Sequence, residues 1–281
     1  MIRRALFCLV ILMFWTVPAL AVKVDVPEEI GRGEPFWIEI HADRKPAGIR
    51  VNWLDKDLEV PVELPGEQRI LLGAGLERRG EYPLQIEFLW DEQKELKSFS
   101  INIQDKKYPE QHLSLPQEMV TPPEEVLERI SRDRISIRSA LSTVTMNRYL
   151  EYGFSDSVPG DVSSPFGVQR FLNNQPRSAH QGVDFRGAEG TPVKAVAPGR
   201  VVLTGDFYFG GSTVIVDHGL GVHSLYMHLS AINVSEDEFV EDQQLVGLVG
   251  MTGRATGPHL HLGIYVLGEA VDPMYLLNRD Q

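Results

Sequence analysis

Near the C-terminus, Gly257-Pro258-His259-Leu260-His261-Leu262-Gly263 sets two histidines one residue apart. Side chains alternate along a strand, so His259 and His261 project from one face and Leu260 points to the other. Two imidazoles side by side suit a divalent metal. The chain holds compatible partners upstream: His180 and Asp184 in His180-Gln181-Gly182-Val183-Asp184, and His228 in Leu225-Tyr226-Met227-His228-Leu229-Ser230. A catalytic zinc takes three protein ligands and keeps one position for water. Cys8, the single cysteine, lies in an N-terminal apolar run, so the donors must be nitrogen and oxygen. The helix motif His-Glu-x-x-His is absent, which removes the usual glutamate base and leaves histidine to handle protons.

The other histidines compete less well. Alternation on the strand ending at His228 sets Ser224, Tyr226 and His228 on one face and His223 on the other, so His223 and His228 are not expected at one metal. His223 reads as structural or exposed, His218 before Gly219 as a turn-supporting hydrogen bonder, and His41 as a structural or surface residue. His112 carries no functional reading.

Positioning such a site takes a folded scaffold, and the 281 residues with 43% hydrophobic content suffice for two domains with real cores. The formal net charge is -12. Losing the first 21 residues removes Arg3 and Arg4 and no acid, for a mature charge of about -14. That acidity opposes a nucleic-acid partner, because nothing neutralises phosphates in bulk.

Residues 1–21 read as an export signal, with Arg3 and Arg4 ahead of an apolar run from Ala5 to Val17 and a small-x-small cleavage site at Ala19-Leu20-Ala21. The run falls short of the ~20 residues of a membrane span, so no stable membrane insertion is expected after cleavage. The mature chain then contains no cysteine, and its stability must come from apolar cores and any metal.

Residues 22–105 alternate with period two, as in Phe36-Trp37-Ile38-Glu39-Ile40 and Phe99-Ser100-Ile101-Asn102-Ile103, between breakers such as Gly31-Arg32-Gly33 and Pro65-Gly66. The pattern predicts a small antiparallel β-sandwich, a positioning or binding module without chemistry of its own. Residues 106–161 form a linker with one helix. It starts at Thr121-Pro122-Pro123-Glu124-Glu125, has an apolar stripe of Val126, Leu127, Ile130, Ile137 and Leu141, and has a basic side of Arg129, Arg132, Arg134 and Arg138. Those arginines are expected on a solvated face, paired locally with Glu125 and Glu128, in preference to the alternative of a docking patch for an anionic polymer. Residues 162–281 are glycine-punctuated strands, beginning with an expected hairpin of Thr191–Val196 and Gly199–Leu203 around Ala197-Pro198-Gly199, and predict a mostly β, antiparallel core.

The ordered set His180-x-x-x-Asp184, Tyr226-x-His228-Leu229-Ser230 and Gly257-Pro258-His259-Leu260-His261 resembles the M23 (LytM/lysostaphin-type) zinc metallopeptidases. Flanking segments match too, among them Gly190-Thr191-Pro192-Val193, Asp217-His218-Gly219 and Val271-Asp272-Pro273. The resemblance covers about Ser163 to Leu276. More weakly, the first half is similar to the β-rich N-terminal domain of some periplasmic members.

The resemblance implies that His180, Asp184 and His261 bind one Zn2+, and that His228 and His259 stand beside it as proton-handling and oxyanion-stabilising groups. Which of the two takes the proton of water stays open. Tyr226, on the His228 face by alternation, is a candidate for substrate binding or oxyanion support, or equally for groove packing. The implied activity is hydrolysis of peptide bonds in bacterial peptidoglycan by attack of zinc-bound water, in the periplasm of a Gram-negative cell. A second reading is a non-catalytic wall-binding regulator of other hydrolases, which would show lost ligands. A third has the β-rich half and the helix covering the groove as a lid. One departure concerns backbone: Asp237 and Gln243 stand where family turns carry glycine, and if those positions need positive φ, Asp tolerates it better than Gln.

Overall fold

The computed structural model describes residues 22–277 apart from 64, 92, 115, 116, 151 and 152. The expected export segment therefore lies outside the described residues. Among the described residues no helix is long and apolar enough to cross a membrane.

The alternating first half folds as two facing sheets. A three-stranded sheet of Val22–Asp25, Pro35–Ala42 and Gly66–Gly73 packs on a five-stranded one built from Glu29–Gly31, Lys94–Gln104, Gly80–Leu89, Gly48–Trp53 and Lys56–Val60. Ile49, Val51 and Trp53 point inward while Arg50 between them is exposed, as period-two alternation requires. Trp53 joins the two sheets. Its ring meets Phe36 edge-on at 5.4 Å, and its indole N–H donates to Gly73 O at 2.7 Å.

In the second half an eight-stranded antiparallel sheet runs in the order Val162–Ser164, Val183–Arg186, His259–Val266, Val222–Leu229, Gly211–Asp217, Gly199–Phe207 and Phe239–Val240, with Glu269–Val271 paired to the end of the His259 strand. The molecule is thus mostly β and antiparallel. The expected hairpin is not formed: Pro192–Lys194 pairs with Leu245–Leu248, whereas Gly199–Phe207 pairs with Gly211–Asp217. The intervening residues cross between sheets because their amides are engaged elsewhere, Ala195 N with Gln244 O and Val196 N with Tyr226 Oη. Asp237 and Gln243 do adopt positive φ, 66° and 62°.

The connector is more structured than its sequence suggests. Glu110–Leu113 forms a strand parallel to Gln169–Leu172. The helix runs Leu127–Leu141 behind a 3-10 turn at Glu124–Val126, with no side-chain cap from Thr121. Its apolar stripe is narrower than expected, since Leu127 is 50% exposed and only the Ala140-Leu141 end is buried. Arg132 pairs with Glu128 as expected, but Arg129 reaches Asp206 at 2.7 Å and Asp133 accepts from Tyr208 N at 2.7 Å. These contacts pin the helix to the hairpin between Gly199–Phe207 and Gly211–Asp217.

The N-terminal sandwich docks at the far end of the His259 strand. Asp272 N donates to Gly33 O at 2.8 Å, Arg78 pairs with Glu269 at 2.6 Å, and a Cβ on Gly73 would meet Val271 at 2.6 Å. Val271 lies opposite Ile264, five residues along the strand from His259, roughly 17 Å of chain. Among the described residues, none of 22–105 lines the groove that holds the histidines, whereas Gln111, Leu113, Val120, Thr121, Pro122 and Arg134 of the connector and helix do.

Candidate active site

Residues directly opposite in an antiparallel pair share a face. Asp184 lies opposite His261, which in turn lies opposite Met227, and Arg186 lies opposite His259. Three adjacent strands thus carry Asp184, His261 and the end of the Val222–Leu229 strand onto one surface. His180 precedes its strand in a loop held by two main-chain bonds, Gly167 N to His180 O at 2.8 Å and His180 N to Val168 O at 2.9 Å. All four site histidines and Asp184 line one groove of about 970 Å³.

The donor atoms of three of these residues converge. His180 Nε2 lies 2.9 Å from Asp184 Oδ1, His261 Nδ1 lies 2.8 Å from the same oxygen, and the two nitrogens are 2.9 Å apart. A tetrahedral zinc with bonds of about 2.0–2.2 Å holds its donors about 3.3 Å apart. The present triangle needs to open by only a few tenths of an ångström, so two imidazoles and one carboxylate fit a divalent metal.

Hydrogen bonds behind the triad set its orientation. A carbonyl only accepts, so His180 donates Nδ1–H to Pro165 O at 2.9 Å and turns Nε2 to the site. Asp184 offers Oδ1 to the histidines while Oδ2 accepts from Arg170 Nη2 at 2.6 Å. Burial pushes the Asp184 carboxyl up, but the bonds and charges of His180 and His261 outweigh it and hold the group well below the usual carboxylate range. Burial lowers His261 in turn, with Asp184 opposing. Gly182 leaves the His261 ring its room, since a Cβ there would meet Cε1 and Nε2 at 2.7 Å.

His228 and His259 form a second pair, with ring centroids 4.7 Å apart. Each donates Nδ1–H to a main-chain carbonyl, His228 to Thr252 at 2.8 Å and His259 to Gly257 at 2.7 Å. Each therefore presents Nε2 as its free nitrogen. His259 Nε2 comes within 3.9 Å of Asp184 Oδ1. The His228 pKa is pushed down to about 3, first by burial and then by the neighbouring His261 and His259, so its ring is neutral at pH 7.

Tyr226 requires a correction. It is fully buried, its hydroxyl accepts from Val196 N at 2.9 Å and lies 2.9 Å from Ser224 Oγ, and it does not line the groove. Alternation misplaced it because His228 has φ 64°, a left-handed residue that turns its side chain off the Tyr226 face and toward the groove. Tyr226 is core scaffolding. His218 and His223 are likewise buried away from the groove: His218 Nδ1 donates to Pro198 O at 2.7 Å, and His223 Nε2 lies 2.9 Å from Thr143 Oγ1.

The sequence reading missed Arg170, Thr252 and Ser164. A carboxylate that binds through one oxygen leaves the other to be satisfied, and a cation shortly upstream of Asp184 was the available signal, although its strand belongs to a different sheet.

An antiparallel β scaffold with a buried His/Asp/His set flanked by two histidines defines a metallopeptidase-type centre. Residues 178–273 match peptidase family M23. It is 39% identical over 113 residues to the DD-carboxypeptidase/endopeptidase Mpg of Neisseria meningitidis, covering 40% of this chain and 26% of that one. It is 40% identical over 114 residues to the peptidoglycan DD-endopeptidase ShyA of Vibrio cholerae, again covering 40% and 26%. The chain thus spans about a quarter of the length of these relatives. A crystal structure of a peptidase M23 from Pseudomonas aeruginosa superposes with a TM-score of 0.68 at 29% identity, covering 87% of this chain and 93% of that one. That coverage extends the shared fold well beyond the peptidase half.

Proposed function

We propose that this chain is an exported zinc-dependent endopeptidase that hydrolyses peptide bonds in bacterial peptidoglycan, with His180, Asp184 and His261 holding the metal. The observation that carries the reading is the triangle of donor atoms beside two further histidines at the floor of one open groove. Relatives named as peptidoglycan endopeptidases support the substrate class. The segment at residues 1–21 supports export to the periplasm. A regulator without activity would have lost a ligand, and all five residues are present.

When bound, the zinc supplies a Lewis acid for the scissile carbonyl and a water of lowered pKa. The chain's own residues do the rest. Arg170 fixes Asp184 so that one oxygen faces the metal position, and the Pro165 carbonyl fixes His180. His228 and His259 face the same space with bare Nε2 atoms: one neutral ring takes a proton from the attacking water, and an imidazolium stabilises the negative oxygen and returns a proton to the leaving amine.

The test is release of soluble muropeptides from purified sacculi by the protein, with and without a chelator, followed by mass spectrometry. Chelator-sensitive release of stem-peptide fragments establishes the activity and identifies the bond. No release by the zinc-loaded protein overturns it.

A further inference from the structure

The Leu127–Leu141 helix lies open to solvent along most of its length, since only Ala140 and Leu141 are buried. A helix of 15 residues draws most of its stability from a packed face, so one left this bare must be held by other means. Here the attachment is polar: Arg129 reaches Asp206, and Asp133 accepts from Tyr208 N. The outward surface of the helix takes no part in it.

The four arginines of this helix divide into two kinds. Arg129 has Asp133 four residues on and Arg132 has Glu128 four residues back, and both pairs form, at 3.8 and 3.5 Å. Arg134 has Ile130, Ser131, Ile137 and Arg138 at the neighbouring helical positions, and Arg138 has no acid at those spacings either. Both side chains are exposed, and among the described residues neither has an ion-pair partner. Like charges four residues apart repel on a helix face. The helix dipole favours Arg138 in the last turn and does nothing for Arg134 in the middle. A bound carboxylate relieves the repulsion and suits the fork of a guanidinium. Arg134 also lines the groove that holds the histidines, and Arg138 continues the same stripe one turn along the helix. A basic strip thus leads out of the groove in a chain of formal charge -12.

We propose that Arg134 and Arg138 form a docking strip for the peptidoglycan polymer, binding free carboxylates of stem peptides that neighbour the one held in the groove. This inference rests on the endopeptidase reading for the identity of the polymer, and it adds how an acidic protein grips an insoluble anionic substrate. Continuity with the groove and complementary charge commit the strip to that polymer. A lipid surface would need a broad apolar face beside the charges, and Leu127 and Ile135 are the only large apolar side chains the helix exposes. Both arginines lie outside the segment matched to the family, residues 178–273, so the grip belongs to the connector helix.

The experiment is cosedimentation of the zinc-loaded full chain with purified sacculi at low temperature, over times too short for release. Arg134→Glu and Arg138→Glu combined should weaken binding by about tenfold, the size of a charge-assisted contact. Arg134→Lys and Arg138→Lys combined keep the charge and should retain most of the binding. Amidating the carboxylates of the sacculi should weaken the unaltered protein by the same factor and leave the double Glu variant where it was. Both positions are exposed, and circular dichroism checks that the helix persists in each variant. Equal binding by the double Glu variant, or equal binding to amidated sacculi, overturns the proposal. Binding to vesicles of anionic phospholipid that the double Glu variant loses, with its sacculus binding intact, assigns the strip to a membrane and overturns it as well. Failure of the zinc-loaded chain to release muropeptides sinks the endopeptidase reading alone, because cosedimentation reads the grip without cleavage.

Discussion

Arg170 Nη2 donates to Asp184 Oδ2 at 2.6 Å and also reaches Ser164 Oγ at 3.1 Å, so the carboxylate that faces His180 and His261 through Oδ1 is held from behind by a guanidinium. Partners of this kind set the orientation of a metal ligand and typically contribute 10–100-fold to affinity. Arg170→Met should therefore lower zinc affinity by about 10–100-fold. Arg170→Lys should recover part of it, since it keeps the charge and loses the fork. Competition against a chromophoric chelator measures both, and unchanged affinity in Arg170→Met would remove Arg170 from the centre.

The two histidine pairs should separate by mutation. His261→Ala removes a donor of the triangle and should abolish zinc retention and activity together. His228→Ala leaves all three donors in place, so the metal should stay while the rate falls by about 10²–10⁴-fold. Metal content by atomic absorption, set beside muropeptide release, distinguishes the two. An active, metal-free His261→Ala protein would contradict the assignment.

Gly182 offers a steric test of the same ring. A Cβ at that position would come within 2.5 Å of Leu262 O and 2.7 Å of His261 Nε2. The main-chain oxygen cannot yield easily, so the strand or the imidazole must shift. Gly182→Ala should lower zinc occupancy although it changes no ligand, and a crystal structure should show His261 displaced. Full occupancy with an unmoved ring would show that the strand absorbs the methyl.

The histidine pair was legible because Leu260 sits between two ligand-type residues on a regular strand, where alternation holds. It failed one strand over, at Tyr226, because the positive φ of His228 is a tertiary choice that residue identity does not announce. The turns at Asp237 and Gln243 were readable as departures from a glycine pattern. Hidden, by contrast, were non-local pairings. Nothing in Glu110–Leu113 names Gln169–Leu172 as its parallel partner, and nothing in Thr191–Leu203 shows that its two halves join different sheets. For the same reason Arg134, on a helix face that reads as solvated, turned out to line the groove.

A buried histidine remote from the groove should contribute its own share of the acid sensitivity. His218 is fully enclosed, with Nδ1–H donated to Pro198 O and Nε2 2.8 Å from Ser224 Oγ, which a neutral ring presents as an acceptor. Its pKa is lowered to about 4, mainly by burial and further by His223. Because the folded value lies below the unfolded value of 6.5, the unfolded chain binds the proton more readily. The contribution is fully present above pH 6.5, declines as pH falls toward about 4, and is absent below; the span corresponds to about 3 kcal/mol. Urea denaturation at a series of pH values should show stability falling through that window. His218→Gln removes one titrating group and should reduce the slope there, whatever it does to stability at neutral pH, while His228, whose pKa is also lowered, keeps part of it. An equal slope in the variant would place the acid sensitivity elsewhere.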